Sequence, residues 1–313
     1  MLEHGGRLRA AAQRCGIPLA DWLDLSTGIA PWPYPLPAPP PEVWQRLPEE
    51  DDGLLAAAQT YYGAANLLAL PGSQAGIQLL PRLLPPARVA MPSPIYNEHP
   101  AAWQAAGHQL VAWGTAAEYA LLCNPNNPTG ASFTRDALLE QARRVRWLIV
   151  DEAFIDADPS ESMIGCVADN MLVLRSLGKF FGLAGARVGF VCAPPAIRVA
   201  LAEQIGPWAL SHPARWAAQQ ALADPAWQAT QRLHIEAAAQ RLADLLRSTG
   251  LGIPTGTALF QYLPTPCANE YQAALARQGI LVRAFGQPAA LRFGLPGNEV
   301  AWQRLAAALK ELA

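Results

Sequence analysis

The sequence predicts an α/β fold: a mainly parallel sheet sandwiched by helices, with a small α+β domain beside it. Three observations lead there. Short apolar runs at about 88–91, 118–123, 147–151, 171–175 and 187–192 have the length of strands. Amphipathic segments near 97–107 and 134–145 separate several of them, and strands that alternate with helices build parallel sheets covered on both faces. The chain has 313 residues, enough for one large core and a smaller one.

The elements follow in order. A short amphipathic helix is expected near 5–15 and an extended piece at 22–30. Residues 31–41 hold seven prolines, which exclude helix interior and central strand and leave a stiff polyproline arm, lying across the surface or against a partner. A helix is expected at about 52–62. The turn Leu70-Pro71-Gly72-Ser73-Gln74-Ala75-Gly76 then opens a helix that runs to about 84. The run at 187–192 follows the preceding strand so closely that a hairpin, and with it one antiparallel strand, is expected. Residues 195–249 read as helical, with a long helix from about 225 to 248. Strands near 257–262, 280–283 and 290–294 and helices near 268–278 and 298–312 complete the small domain. The expected division is an N-terminal arm and part of the small domain at 1–45, a large α/β domain at 46–225, and a small α+β domain at 226–313. There is no internal repeat.

A formal net charge of −2 gives no electrostatic case for nucleic acid or an anionic membrane. The apolar runs fall short of a membrane span, and the N-terminus lacks a basic segment followed by an apolar one, so a cytoplasmic protein is expected. Five cysteines are scattered with neither Cys-x-x-Cys nor paired His/Cys spacing, so neither a disulfide framework nor a metal is expected.

Lysine occurs only twice, at Lys179 and Lys310, while arginine supplies nearly all the other positive charge. Lys179 sits in Ser176-Leu177-Gly178-Lys179-Phe180-Phe181-Gly182, with Arg187 eight residues on. An amine can lose its proton and attack a carbonyl; a guanidinium stays charged. Other polar groups fall at strand ends, where open α/β sheets bind ligands. Gly72-Ser73-Gln74 stands at a helix start, whose free N–H groups suit a phosphate. Asn124-Pro125-Asn126-Asn127-Pro128-Thr129-Gly130 forms a rigid turn after one strand. Asp151-Glu152-Ala153-Phe154 ends another, and a carboxylate there needs a cationic or donor partner.

These elements, in this order, resemble the fold-type-I pyridoxal-phosphate enzymes, in the branch of aspartate and histidinol-phosphate aminotransferases, from about residue 20 to the end. The resemblance implies pyridoxal 5'-phosphate as cofactor. It implies Lys179 as the catalytic amine that condenses with the cofactor aldehyde and then transfers protons. Asp151 would pair with the pyridinium nitrogen and Asn127 with the phenolic oxygen. Ser176 and Arg187, with the N–H groups of Ser73 and Gln74, would hold the phosphate, and Tyr96 would stack on the ring. Arg292 would clamp a substrate carboxylate. Two departures stand out. Phe154 replaces a tyrosine whose hydroxyl meets the phenolic oxygen, and Leu47 replaces one that reaches a neighbouring subunit's cofactor in a homodimer.

Within that family, Glu3-His4-Gly5-Gly6-Arg7 and Leu23-Asp24-Leu25-Ser26-Thr27-Gly28 resemble the L-threonine-O-3-phosphate decarboxylases of cobalamin biosynthesis. That resemblance implies a small phosphorylated amino acid as substrate, with His4 and Arg283 as further ligands. Gly28 stands where the group has an asparagine, so a backbone N–H replaces a side-chain contact. A histidinol-phosphate aminotransferase would use the same cofactor residues. A non-catalytic pyridoxal-phosphate-binding module is a third reading, against which every catalytic position is present.

Overall fold

The computed structural model describes residues 4–166 and 168–312. The chain divides into two compact units. One takes in the chain up to Trp32, Pro128–Ala131 and the chain from Gln231 onward; the other takes in Pro33–Asn127 and Ser132–Thr230. The first unit opens with α1 (Leu8–Cys15) and β1 (Leu23–Asp24). The second runs α2 (Glu42–Gln45), α3 (Leu54–Tyr62), β2 (Leu67–Leu70), α4 (Ser73–Leu83), β3 (Arg88–Met91), α5 (Glu98–Ala105) and β4 (Gln109–Ala112). It continues with β5 (Tyr119–Cys123), α6 (Arg135–Arg144), β6 (Trp147–Asp151), β7 (Met171–Ser176), β8 (Gly189–Cys192), α7 (Pro195–Ile205) and α8 (His212–Leu222). After α9 (Pro225–Ser248), the first unit is completed by β9 (Thr255–Thr257), β10 (Phe260–Pro264), α10 (Ala268–Arg277), β11 (Ile280–Leu281), β12 (Arg283–Gly286), β13 (Ala289–Gly294) and α11 (Glu299–Lys310).

In the second unit seven strands form one sheet, in the order β2-β8-β7-β6-β5-β3-β4. The sheet is parallel except for β8, which runs antiparallel to both of its neighbours, as the hairpin reading expected. Every residue of β5 and β7 is buried, and in β6 every residue after Trp147. That is the signature of parallel strands covered by helices on both faces, and it is why these strands read as continuous apolar runs. Gly76 of α4 lets the helix lie close on β7: a Cβ there would stand 2.7 Å from Leu174 Cδ2. Two strands of this sheet escaped the sequence reading, β2 and β4. Both are edges of the sheet, where burial is incomplete and the apolar run is short.

The first unit holds a four-stranded antiparallel sheet, β12-β13-β10-β9, and a parallel pair, β1-β11. The expected strand near 280–283 is divided at Val282, because β11 pairs with β1 while β12 pairs with β13. Of the expected extended piece at 22–30, only Leu23–Asp24 is a strand. The proline arm is exposed from residue 35 to residue 41. Its start is fixed within the second unit: the Tyr34 N–H donates to the Phe181 carbonyl at 2.9 Å, and the Tyr34 ring meets Trp227 edge-on at 5.1 Å.

One buried ionic cluster ties the segment after β6 to β7. Arg175, 2% exposed, donates to Glu152 at 3.1 Å, to the Ser162 hydroxyl at 3.1 Å and to Asp156. Its guanidinium lies 4.4 Å from the Tyr62 ring centroid. Glu152 also accepts from the Ser162 hydroxyl and the Met163 N–H, each at 2.6 Å. Burial pushes the Glu152 pKa up, and the Arg175 charge opposes it. Removing one partner of such a cluster leaves a buried charge uncompensated. Arg175→Ala is therefore expected to cost about 3–5 kcal/mol of stability, read by urea unfolding; a loss under about 1 kcal/mol would mean that water or a neighbour replaces the guanidinium.

Candidate active site

In the second unit a polar cradle forms where α4 begins. Gly72, at φ 76°, precedes the helix, and no side chain caps it. A Cβ on Gly72 would lie 2.5 Å from Arg187 Nη2, and one on Gly189 would lie 2.4 Å from Ser73 N. Only glycine at both positions lets the guanidinium and β8 reach the first turn of the helix. Arg187 itself sits in the left-handed region, φ 56°, a conformation that costs energy for a residue with a side chain. Ser176 is paired with Gly189 across the hairpin. Ser73, Gln74, Ser176 and Arg187 are thus gathered at one place. Helix N–H groups, a hydroxyl and a guanidinium together suit a phosphate dianion. The Gln74 side chain turns aside to Glu98 at 2.9 Å and accepts from the Tyr96 hydroxyl at 3.4 Å.

The ends of β5 and β6 carry a second set. Asp151, 4% exposed, lies beside Cys123 in the strand register. One carboxylate oxygen is 2.9 Å from His99 Nε2, and the other accepts the Ala153 N–H at 3.0 Å. The polar atoms of His99, Cys123 and Asp151 lie within 4.8 Å of one another. Burial first, and the Asp151 charge second, push the Cys123 thiol up, while backbone N–H groups of Tyr96 and Asn127 oppose this. Asp151, Tyr96 and Asn127 therefore surround one thiol. A metal would need that thiol as thiolate, the form this environment disfavours. The Tyr96 ring stands edge-on to His99 at 6.0 Å, and burial pushes its hydroxyl up to about 12.

Lys179 lies in the loop between β7 and β8. Its Nζ is 5.5 Å from the centroid of Phe154, three residues beyond Asp151. Phe180 and Phe181 are wholly buried, and Phe181 stacks on Trp227 at 5.7 Å. These rings root the loop in the core and hold the lysine at the strand ends. His99 is the residue that the sequence reading missed. It lies in the first turn of α5, and nothing in the sequence ties it to Asp151, 52 residues further on.

The first unit holds the other named residues. Arg283 and Arg292 are direct partners in the β12-β13 ladder, so their side chains leave the same face. Like charges placed directly opposite repel, and an anion between them relieves that cost. The Arg292 guanidinium lies 5.1 Å from the Phe260 ring and 5.9 Å from Phe285; that of Arg283 lies 5.4 Å from Phe285. Aromatic faces on this side of the sheet keep both forks flat and oriented. Arg292 also donates to the Ser26 carbonyl at 3.0 Å, two residues before the buried Gly28. His4 joins through the next turn, where the Gly6 N–H donates to Ser26 Oγ at 2.8 Å.

Residues 52–309 match the family described as aminotransferase class I and II. The threonine-phosphate decarboxylase of Pseudomonas aeruginosa is 53% identical over 99% of this chain and 97% of its own length. A Sinorhizobium protein of the same name is 41% identical, over 99% and 98%. Among solved structures, histidinol-phosphate aminotransferase from Sinorhizobium meliloti, in complex with pyridoxal-5'-phosphate, has a TM-score of 0.83 at 21% identity, covering 99% of this chain and 95% of that one. At that identity the likeness speaks for the fold alone. With the matched segment spanning most of both units, the chain belongs to the class I and II aminotransferase family.

Proposed function

We propose that the chain is a pyridoxal-phosphate-dependent L-threonine-O-3-phosphate decarboxylase, yielding carbon dioxide and (R)-1-amino-2-propanol phosphate for cobalamin biosynthesis. The observation that carries this reading is the arginine pair. The α4 cradle serves the phosphate of a cofactor. Arg283 and Arg292 then supply two further anion ligands, and threonine phosphate carries two further anions. The full-length likeness to two threonine-phosphate decarboxylases supports the same choice.

The donor set fits the cofactor. Ser73, Gln74, Ser176 and Arg187 would hold its phosphate, Tyr96 would cover its ring, and Asn127 would meet its phenolic oxygen. Lys179 would hold it covalently. When bound, the ring acts as an electron sink for the bond broken at the α-carbon. Asp151 would hold a proton at the ring nitrogen, and His99 braces that carboxylate through the 2.9 Å contact to its other side. Arg292 grips the carboxylate in a fork, and Arg283 holds the substrate phosphate, with His4 and the backbone at Gly28 beside them. Lys179, freed from the cofactor and protonated, would supply the proton that takes the place of carbon dioxide at the α-carbon. Phe154, 7% exposed, sets an apolar ring 5.5 Å from the lysine nitrogen where a hydroxyl would otherwise stand.

We read the protein as a cytoplasmic homodimer. Among the described residues no helix is long and apolar enough to cross a membrane. The second unit exposes Trp44 (69%), Leu47 (62%) and Trp208 (61%), and Trp208 also lines a cavity of about 500 Å³ with Pro48 and Leu55. Large apolar side chains in such numbers suit a subunit interface.

Three outcomes are expected. Borohydride treatment of the holoenzyme should leave reduced cofactor on the peptide that contains Lys179, detected by mass spectrometry; label on Lys310 would move the catalytic amine. The holoenzyme should release carbon dioxide from L-threonine-O-3-phosphate equally with and without 2-oxoglutarate. Arg283→Gln should then raise KM about tenfold or more, the size of one lost charge-assisted hydrogen bond, while cofactor affinity holds. Glutamate formation from histidinol phosphate and 2-oxoglutarate, with no carbon dioxide release, would favour the aminotransferase.

A further inference from the structure

Ser26 lies in the first unit between two segments that the proposed function needs, and it touches both by different atoms. Its backbone carbonyl accepts from Arg292 Nη2 at 3.0 Å. Its hydroxyl accepts the Gly6 N–H at 2.8 Å. The same hydroxyl donates to Asp24 Oδ1 at 2.6 Å, and the Ser26 N–H donates to that oxygen at 2.9 Å. Asp24 is therefore an acceptor for both Ser26 donors. It fixes the rotamer and commits the hydroxyl proton, which leaves a lone pair for Gly6. Ser26 is 1% exposed, so water does not compete for these bonds.

The glycines at positions 5 and 6 follow from this contact. A Cβ on Gly5 would lie 2.2 Å from the Ser26 carbonyl oxygen, the atom that holds Arg292. Gly6 adopts φ 76°. A side chain at Gly5 would push the N-terminal segment off Ser26 or push Ser26 off the arginine. The position of Ser26 is fixed in turn from the other side. Leu25 N donates to the Leu281 carbonyl at 2.8 Å, and Gly294 N donates to the Leu25 carbonyl at 2.7 Å. Residues 24–26 are thus stitched to β11 and to the end of β13, the strand that carries Arg292.

We propose that Ser26 is a positioning residue: its hydroxyl, held by Asp24, latches the His4-Gly5-Gly6 segment to the turn whose carbonyl orients Arg292. This rests on the reading of His4 and Arg292 as substrate ligands. Ser26→Ala is a selective probe, because alanine keeps the carbonyl on Arg292 and the N–H on Asp24 and removes the hydroxyl with its two bonds, the latch to Gly6 and the anchor to Asp24.

Two measurements on the holoenzyme test it. The first is amide hydrogen exchange at residues 4–7, expected to speed up at least tenfold in Ser26→Ala; unchanged exchange would overturn the latch. The second is a cycle of Ser26→Ala, His4→Ala and the double variant, with L-threonine-O-3-phosphate as substrate. Ser26→Ala should raise KM about tenfold with kcat within about twofold, and should add less than about twofold once His4 is alanine. Multiplying effects would overturn the coupling through His4, and an equal loss in cofactor affinity would mark a structural role. Failure of the wild type to release carbon dioxide would count against the functional reading instead, and the exchange result would still judge the latch.

Discussion

A carboxylate buried at the end of a parallel strand is the constraint around which the second unit is arranged. Asp151 cannot rest in an apolar sheet without partners, and its partners come from separate elements. His99 arrives on α5 and the Ala153 N–H on the segment that follows β6, while Cys123 lies beside the carboxylate on the adjacent strand. Meeting the needs of one oxygen pair fixes α5, and with it Tyr96, over the strand ends. The neighbouring Glu152 makes the opposite choice. It turns into the core and is neutralised there by Arg175, which fixes the segment leading to β7 and so the loop that bears Lys179.

Much of this was legible in the sequence, for physical reasons. Strands buried on both faces must be continuously apolar, so β5, β6 and β7 announced themselves. The residues that end them, Asp151 and Ser176, stood out as polar breaks in those runs. The closeness of the 187–192 run to Lys179 foretold the single antiparallel strand. The edge strands β2 and β4 were hidden because edge strands are half solvated and here only four residues long. His99 was hidden for another reason. A buried histidine on a helix carries no mark in the sequence until its carboxylate partner is known.

The paired arginines show where sequence reasoning falls short in kind. Arg283 and Arg292 were named separately, nine residues apart in the chain. Their meeting across the β12-β13 ladder, with Phe260 and Phe285 beside them, is a fact of register. Register follows from a turn and from the alternation of faces, and neither is visible in the spacing alone. The same holds for Ser26, an ordinary serine until Gly6, Asp24 and Arg292 converge on it.

The central claim is that Asp151 is kept buried for chemistry at the expense of stability. Asp151→Asn tests it by two readings of opposite sense. The cofactor-free variant is expected to unfold within about 1 kcal/mol of the wild type or above it, since an amide costs less to bury than a carboxylate. The loaded variant is expected to lose at least about a hundredfold in turnover of L-threonine-O-3-phosphate. A destabilised variant that kept wild-type turnover would contradict the claim and make the Asp151-His99 pair a structural strut.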